Sequence, residues 1–199
     1  MDLIRKLFDR SPRIETERLI LRRMRVSDAA DMYDYARREE VTRYLLWAPH
    51  DSLEYTQMYL KQVEKGYKLG NFHDFGVIYK ENNRLIGTCG FARIDPANST
   101  AEAGYVLNPD YWGRGIAAEA LSALIRMGFE KQELNRIEAR YMVDNLPSRR
   151  VMEKCGMSYE GTLRQAVFAK DSYEDVGVCA VLRRDYRVDD SCLQKFTNF

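Results

Sequence analysis

The stretch Val106-Leu-Asn-Pro-Asp-Tyr-Trp-Gly-Arg-Gly-Ile-Ala-Ala-Glu-Ala120 decides the fold, because a predicted strand passes through a glycine-containing turn directly into a predicted helix. Backbone N–H groups converge at such a junction, where the positive end of the helix dipole lies, so the turn can bind a phosphate group. Gly113 and Gly115 let a diphosphate approach the main chain without Cβ atoms in the way, and Arg114 can add a charge-assisted contact. A plain tight turn explains the two glycines equally well, so this segment alone leaves both interpretations open.

Strands are predicted immediately before this turn. Residues 75–79 and 85–94 flank a polar turn, which is the pattern of a β-hairpin, and residues 101–107 continue the meander as a third strand. Downstream, the pattern becomes strand, helix, strand and strand over residues 135–143, 147–155, 157–168 and 173–184. Strands that first follow one another and then alternate with helices predict the α/β class, with a mixed sheet covered by helices on both faces.

The N-terminal third is predicted to contribute one strand and several helices. Apolar and charged residues alternate over residues 17–25, which is typical of a half-buried strand. Ser27 is expected to cap the first helix, and helices at about 40–46 and 52–69 follow.

Size and composition are those of one globular domain. The 199 residues are 45% hydrophobic and 31% charged, which excludes a disordered or collagen-like chain. Residues 188–199 carry no strong pattern and are expected to form a mobile tail. No window approaches the ~18 uncharged apolar residues of a membrane span, and the first residues lack the apolar run of a secretory signal. The expected location is therefore cytoplasmic, without a membrane partner.

Charge and ligand content narrow the function further. Lys and Arg total 31 against 30 for Asp and Glu, a formal net charge of +1, so no global field favours nucleic acid as a partner. The four cysteines are far apart, and only His50 and His73 could supply imidazole ligands. We therefore expect neither a metal site nor a disulfide framework.

The glycine turn also fits a known pattern. Gly115 and Ala117 match the last two positions of Gln/Arg-x-x-Gly-x-Gly/Ala, while Trp112 stands at its first position. In this respect the turn resembles the acyl-CoA pyrophosphate loop of the GNAT superfamily of N-acetyltransferases. The departure at Trp112, within Pro-x-Tyr-Trp-Gly-x-Gly, is similar to the RimJ/RimL-like branch of ribosomal-protein-alanine acetyltransferases. Three further stretches fit this branch: residues 15–22, 144–156 and 160–164. The resemblance covers nearly everything from residue 14 to about 187, and it implies a GNAT N-acetyltransferase domain over residues 14–187 that follows an N-terminal extension at 1–13.

The resemblance implies a three-layer αβα GNAT fold with acetyl-CoA as co-substrate and no metal. In this fold the strand before the loop is bulged and splayed from its parallel neighbour, and pantetheine inserts in the gap like an extra strand. Tyr105, Val106 and Leu107 match that strand, although an ordinary core strand explains their side chains as well. Asn145 matches an amide that contacts pantetheine, or it simply caps the next helix. The implied acetyl-CoA contacts in the loop are Trp112, Gly113, Arg114, Gly115, Ile116 and Ala117.

The resemblance also implies which side chains move protons. Met152 occupies the place of the tyrosine that many GNAT proteins use as an acid. Ser148 matches the hydroxyl that this branch has near the sulfur, or it is an ordinary serine in the first turn of a helix. Glu160 matches the acidic residue of the branch that accepts the proton of the amine through water, and Glu102 is the second candidate. Solvated surface positions would explain both carboxylates equally well.

The implied acceptor is the N-terminal α-amine of a protein such as a ribosomal protein. An α-amine, with a pKa of ~7.7–8.0, is partly neutral at cellular pH, whereas lysine, near ~10.4, is almost fully charged. A small-molecule amine, either an antibiotic or a polyamine, is the alternative, and a non-catalytic acyl-CoA-binding module is the third interpretation. Whether the chain forms a homodimer is left open. Acidic residues of the N-terminal third are expected to line the acceptor cleft: Asp28, Asp31, Asp34, Glu39, Glu40 and Glu54.

Overall fold

The computed structural model describes residues 13–186 and the backbone of residues 195–197. The strands are β1 (Arg13–Glu15), β2 (Leu19–Arg22), β3 (Asp74–Tyr79), β4 (Arg84–Asp95), β5 (Thr100–Leu107), β6 (Arg136–Met142), β7 (Ser158–Ala169), β8 (Ser172–Leu182) and β9 (Lys195–Thr197). The helices are α1 (Ala29–Ala36), α2 (Glu39–Thr42), α3 (Leu53–Leu69), α4 (Ile116–Lys131) and α5 (Leu146–Lys154). The described strands form one sheet in the order β7-β8-β6-β5-β4-β3-β2-β1-β9.

Helices cover both faces of this sheet. On one face α4 and α5 pack through a buried cluster that includes Leu121, Leu124 and Met152. On the other face α1 and α3 pack through a second cluster that includes Met32 and Leu60. The predicted mixed sheet between two helical layers is therefore confirmed.

The central strands β5 and β6 are parallel and separate toward their carboxyl ends. They pair only over residues 100–103 and 136–139. Beyond these residues β5 continues along β4, and β6 continues along β8. The pairing of β4 with β5 shifts register between Phe91 and Arg93, which gives β4 one extra residue at the point where the separation begins. A gap between β5 and β6 therefore opens before the glycine turn, as expected. The bulge was expected in the strand before the turn, β5, but its extra residue lies on β4, because Phe91 and Arg93 of β4 face consecutive residues of β5.

The start of α1 differs from the expected cap. Ser27 lies inside a 3-10 turn, Val26–Asp28, and Asp28 takes the N-cap position of α1. The Asp28 carboxylate accepts the backbone N–H of Arg25 at 2.8 Å and two bonds from the Arg22 guanidinium at 2.8 Å each. An ion pair, not a serine hydroxyl, therefore holds this turn. The helix expected at 40–46 is reduced to the single turn of α2.

Two expected terminal segments lie largely outside the described residues. Of the N-terminal extension, 1–13, the structure describes only Arg13 at the start of β1. Of the expected mobile tail, 188–199, it describes only the backbone of β9, which pairs antiparallel with β1. Within the described part of the chain, no helix combines the length and the apolarity that a membrane crossing requires.

Candidate active site

The turn between β5 and α4 presents a row of backbone N–H groups. Gly113 and Gly115 have φ angles of +74° and +75°, and Gly115 is the N-cap of α4. The N–H of Glu119 donates to the carbonyl oxygen of Gly115 at 3.0 Å. The three preceding N–H groups, of residues 116–118, therefore point out of the helix end. This is the geometry that an anion needs at a helix N-terminus.

An ion pair that sequence analysis did not select holds the turn against the N-terminal strands. Arg18 Nε donates to Glu119 Oε2 at 2.6 Å, and Arg18 Nη1 donates to the carbonyl oxygen of Arg114 at 2.9 Å. Glu119 Oε1 also accepts the backbone N–H of Arg18 at 2.9 Å and the hydroxyl of Thr16. We call this set of contacts the Arg18–Glu119 brace. The sequence did contain one indication of a role for Arg18, because this residue lies in the stretch 15–22 that resembles the family.

The end of β5 is tied to the turn by Trp112. Its indole Nε1 donates to the carbonyl oxygen of Leu107 at 2.8 Å, while about half of the side chain stays exposed. Leu107 itself is buried. Of the three residues predicted to face pantetheine, Tyr105 and Val106 line the cleft described below.

Tyr105, Asn145 and Ser148 meet where β5 faces the start of α5. The phenol of Tyr105 donates to the carbonyl oxygen of Ser148 at 2.9 Å. Because that bond uses its hydrogen, the phenol oxygen accepts the Ser148 hydroxyl, whose Oγ is 2.8 Å away. Burial raises the pKa of Tyr105, so the phenol keeps its proton. Asn145 Oδ1 accepts the N–H of Ser148 at 3.2 Å, so Asn145 caps α5 and lines the cleft as well.

A cleft of about 510 Å³ joins this region to the face of the sheet covered by α1 and α3. His50 and His73 lie in its wall, and loss of water lowers the pKa of both imidazoles, so both are mostly neutral at pH 7. The rest of the wall includes the rings of Tyr35, Tyr44, Trp47, Tyr55, Tyr59, Phe72, Phe91, Tyr105 and Tyr141.

Asp74, which sequence analysis also missed, places a carboxylate in this cleft. It is the first residue of β3, and its Oδ1 accepts the backbone N–H of Phe75 at 3.0 Å. The side chain keeps some exposure through the cleft. Desolvation of the carboxylate by burial nevertheless raises the pKa of Asp74 to about 7, although hydrogen bonds from Thr88 and Phe75 act to lower it. The sequence did contain one indication of this site, because Asp74 is an acidic residue at the start of a buried strand, between His73 and Phe75.

The two glutamates predicted as bases lie elsewhere. Glu160 accepts two bonds from the Arg136 guanidinium, at 2.7 and 2.5 Å, and this pairing lowers the pKa of Glu160. Glu102 lies 3.5 Å from Arg140 and lines a separate hollow with Glu138. Neither glutamate is among the described side chains that line the cleft. The structure therefore does not bring them to Ser148, because arginines of β6 hold both; their catalytic role stays a prediction.

The acidic residues expected to line the cleft are also elsewhere. Asp31 pairs with Arg84 at 2.8 Å, and Asp34 pairs with Arg38 at 3.4 Å. Glu39, Glu40 and Glu54 are exposed, and none of the six expected acids lines the cleft. Within residues 13–186, no group of three or more His, Cys, Asp or Glu side chains is arranged to hold a metal ion.

Comparison with known proteins places this geometry in a family. Residues 18–158 match the family described as "Acetyltransferase (GNAT) domain". The uncharacterized N-acetyltransferase p20 of Bacillus licheniformis is 37% identical over 171 residues, which are 86% of this chain and 96% of that protein. The ribosomal-protein-serine acetyltransferase of Escherichia coli is 43% identical over 104 residues, 52% of this chain and 58% of that protein. A GNAT-family acetyltransferase from Bacillus anthracis superimposes with a TM-score of 0.77 at 30% identity, covering 86% of this chain and 99% of that one.

Proposed function

Because the chain belongs to the GNAT acetyltransferase family and is an acetyl-CoA-dependent N-acetyltransferase, we propose that its acceptor is the N-terminal α-amine of a protein, such as a ribosomal protein. The observation that carries this proposal is the cleft, whose described lining combines aromatic rings with one carboxylate, that of Asp74. Such a cleft suits one primary amine at the end of an otherwise uncharged segment.

The residues present fit acetyl-CoA, which supplies the acetyl group as a thioester. The N–H groups of residues 116–118 suit its diphosphate, and the left-handed glycines of the turn keep Cβ atoms away from it. The edge of β5 that leaves β6 after Ala103 offers backbone groups to pantetheine in the manner of an added strand. Asn145 and Ser148 flank that edge from α5.

The proposed proton donor is the hydroxyl pair of Ser148 and Tyr105. These side chains hold two protons within one hydrogen-bonded chain at the mouth of the gap. Met152 is buried and carries no proton to donate. When Ser148 turns its hydroxyl toward the sulfur, the phenol of Tyr105, 2.8 Å away, can turn its own hydrogen from the carbonyl oxygen to Ser148 Oγ and replace the released proton.

The charges of the cleft lining and the name of one relative both favour a protein acceptor over a polyamine. A polyamine carries several ammonium groups and needs several carboxylates, whereas the described lining of the cleft offers Asp74 together with the positive Arg140. The E. coli relative that matches about half of this chain is named a ribosomal-protein-serine acetyltransferase, which supports a protein as acceptor. A small molecule with one amine is the second candidate, because aromatic walls also suit a compact apolar ligand.

A thiol-release assay with a panel of acceptors tests the proposal. The panel contains octapeptides with a free N-terminal serine or alanine, the same peptides N-acetylated with one internal lysine, spermidine and benzylamine. We expect the free-N-terminus peptides to give the highest kcat/KM and mass spectrometry to locate the acetyl group on the α-nitrogen. Turnover of benzylamine or spermidine without turnover of any peptide would reject the proposed acceptor.

A further inference from the structure

We propose that Asp74 binds the ammonium form of the acceptor and takes its proton before acetyl transfer. This inference rests on the proposed function only in requiring a primary amine as acceptor, and it is the same for a peptide and for a small molecule.

The carboxylate of Asp74 occupies a place shaped by its neighbours. Gly90 lies directly opposite on β4, where a Cβ atom would clash with the Asp74 Cα and lie 2.6 Å from its Oδ1, so glycine lets both the backbone and the carboxylate of Asp74 lie close to β4. The N–H of Phe75 and the hydroxyl of Thr88 donate to the carboxylate. The phenol of Tyr67 donates to the carbonyl oxygen of Asp74 at 2.6 Å. These contacts fix the orientation of the carboxylate without neutralising its charge.

The cleft supplies little positive charge for Asp74. Among the described residues that line it, Asp74 and Arg140 are the two with a formal charge when the histidines are neutral. Arg140 is already engaged, at 3.1 Å from Glu138 and 3.5 Å from Glu102. A desolvated carboxylate without a counter-charge is costly, and an ammonium group entering the cleft would supply one.

The titratable neighbours of Asp74 stay neutral over the pH range in which it titrates. Burial raises the pKa of each such group on α1, α3 and β4: Tyr35, Tyr59, Tyr67 and Cys89. The two histidines of the cleft have lowered pKa values and are mostly uncharged by pH 7. Asp74, with its pKa raised to about 7, therefore titrates near neutral pH, where these neighbours are mostly uncharged.

The proposed step is a simple proton transfer. One N–H bond of the ammonium breaks, its electron pair stays on nitrogen, and an O–H bond forms on Asp74. One positive and one negative charge are lost together, which leaves a neutral amine and a neutral carboxylic acid. An α-ammonium with a pKa of ~7.7–8.0 differs from a carboxyl near 7 by about one unit, so neither direction of transfer is strongly opposed.

The test compares Asp74→Asn with a matched control, Asp185→Asn, whose carboxylate is exposed and near Arg184. The probes are an octapeptide with a free N-terminal serine, its N-acetylated form and benzylamine. Calorimetry measures probe binding and acetyl-CoA binding, and initial rates give kcat/KM from pH 6 to 9.

We expect Asp74→Asn to weaken binding of the free amines at least ~10-fold and to lower kcat/KM about 10²- to 10³-fold at pH 7, with partial recovery at pH 9, where the amine deprotonates unaided. Acetyl-CoA affinity should stay unchanged, and Asp185→Asn should match the native protein. Thr88→Val gives an independent readout. It removes a bond that lowers the pKa of Asp74, so the acid limb of the kcat/KM profile should move to higher pH.

Native probe affinity and a native pH profile in Asp74→Asn would overturn the proposal, even if the native enzyme acetylates the peptide. The proposal also fails if Thr88→Val leaves the acid limb in place while Glu160→Gln or Glu102→Gln removes it. A different result is expected if the proposed acceptor, a protein N-terminus, is wrong. In that case the native enzyme acetylates benzylamine but no peptide, and loss of benzylamine binding in Asp74→Asn still supports the role of Asp74.

Discussion

The left-handed backbone at Gly115 makes the turn before α4 sensitive to one substitution. A valine there would oppose the φ of +75° and put a side chain on the surface that the N–H groups of residues 116–118 share. We expect Gly115→Val to weaken acetyl-CoA binding at least ~100-fold and to cost about 1–2 kcal/mol of stability. Calorimetry and thermal unfolding measure the two effects.

Gly156 offers a matched control for that change. Its φ of +80° imposes the same backbone strain, and it lies in open space after the end of α5. Gly156→Val should therefore cost similar stability while acetyl-CoA binds normally. Equal affinity for acetyl-CoA in Gly115→Val and Gly156→Val would remove the turn from the binding site.

The hydroxyl pair of Tyr105 and Ser148 predicts a non-additive result. Ser148→Ala should lower kcat about 10²-fold with little change in acetyl-CoA affinity, because a proton donor contributes roughly 10² to 10⁴ in rate. Tyr105→Phe should lower kcat by a smaller factor, since Ser148 keeps its own proton. If the two hydroxyls act as one chain, the double variant should resemble Ser148→Ala alone. Multiplied effects in the double variant would show that they act independently.

At the scale of elements, the Arg18–Glu119 brace joins the turn to the N-terminal strands. The Glu119 side chain is 13% exposed and the Arg18 side chain is 38% exposed, so solvent screens this pair only in part. Glu119→Gln should raise the Kd for acetyl-CoA about 3- to 10-fold and speed amide exchange over residues 113–118, with a smaller effect on kcat. Glu130→Gln, on the same helix and paired with Arg126, is the control. Unchanged exchange in Glu119→Gln would mean that the turn keeps its shape without the brace.

At the scale of the whole molecule, the raised pKa of Asp74 makes the free energy of unfolding depend on pH. Its native pKa is raised from 3.8 to about 7, so between these values the native state binds a proton that the unfolded chain has lost. Stability contributed by this group therefore falls as the pH rises through that window. We expect Asp74→Asn, which cannot ionise, to unfold several degrees above the native protein at pH 8 and at the same temperature near pH 4. A constant difference at both pH values would contradict the raised pKa.

The sequence predicts a structural feature well when neighbouring residues determine it, and poorly when residues far apart in the chain determine it. The turn at Gly113 and Gly115 is encoded by neighbours along the chain, and its order of strand, turn and helix is confirmed. Asp74 and the Arg18–Glu119 brace become visible only when strand register brings distant residues together. The acids of the N-terminal helices failed as cleft residues for two reasons: arginines hold some of them, as Arg84 holds Asp31, and others such as Glu54 are exposed on the surface.

The Arg18–Glu119 brace also has a consequence for the order of folding. Arg18 and Glu119 are 101 residues apart in the chain. They can meet only after the long loop between them has closed, which requires most of the intervening strands to have paired. Residues 106–120 can form their strand, turn and helix early from local signals, but the turn receives its final support late. During refolding, the far-ultraviolet circular dichroism signal should therefore recover before the ability to bind acetyl-CoA does.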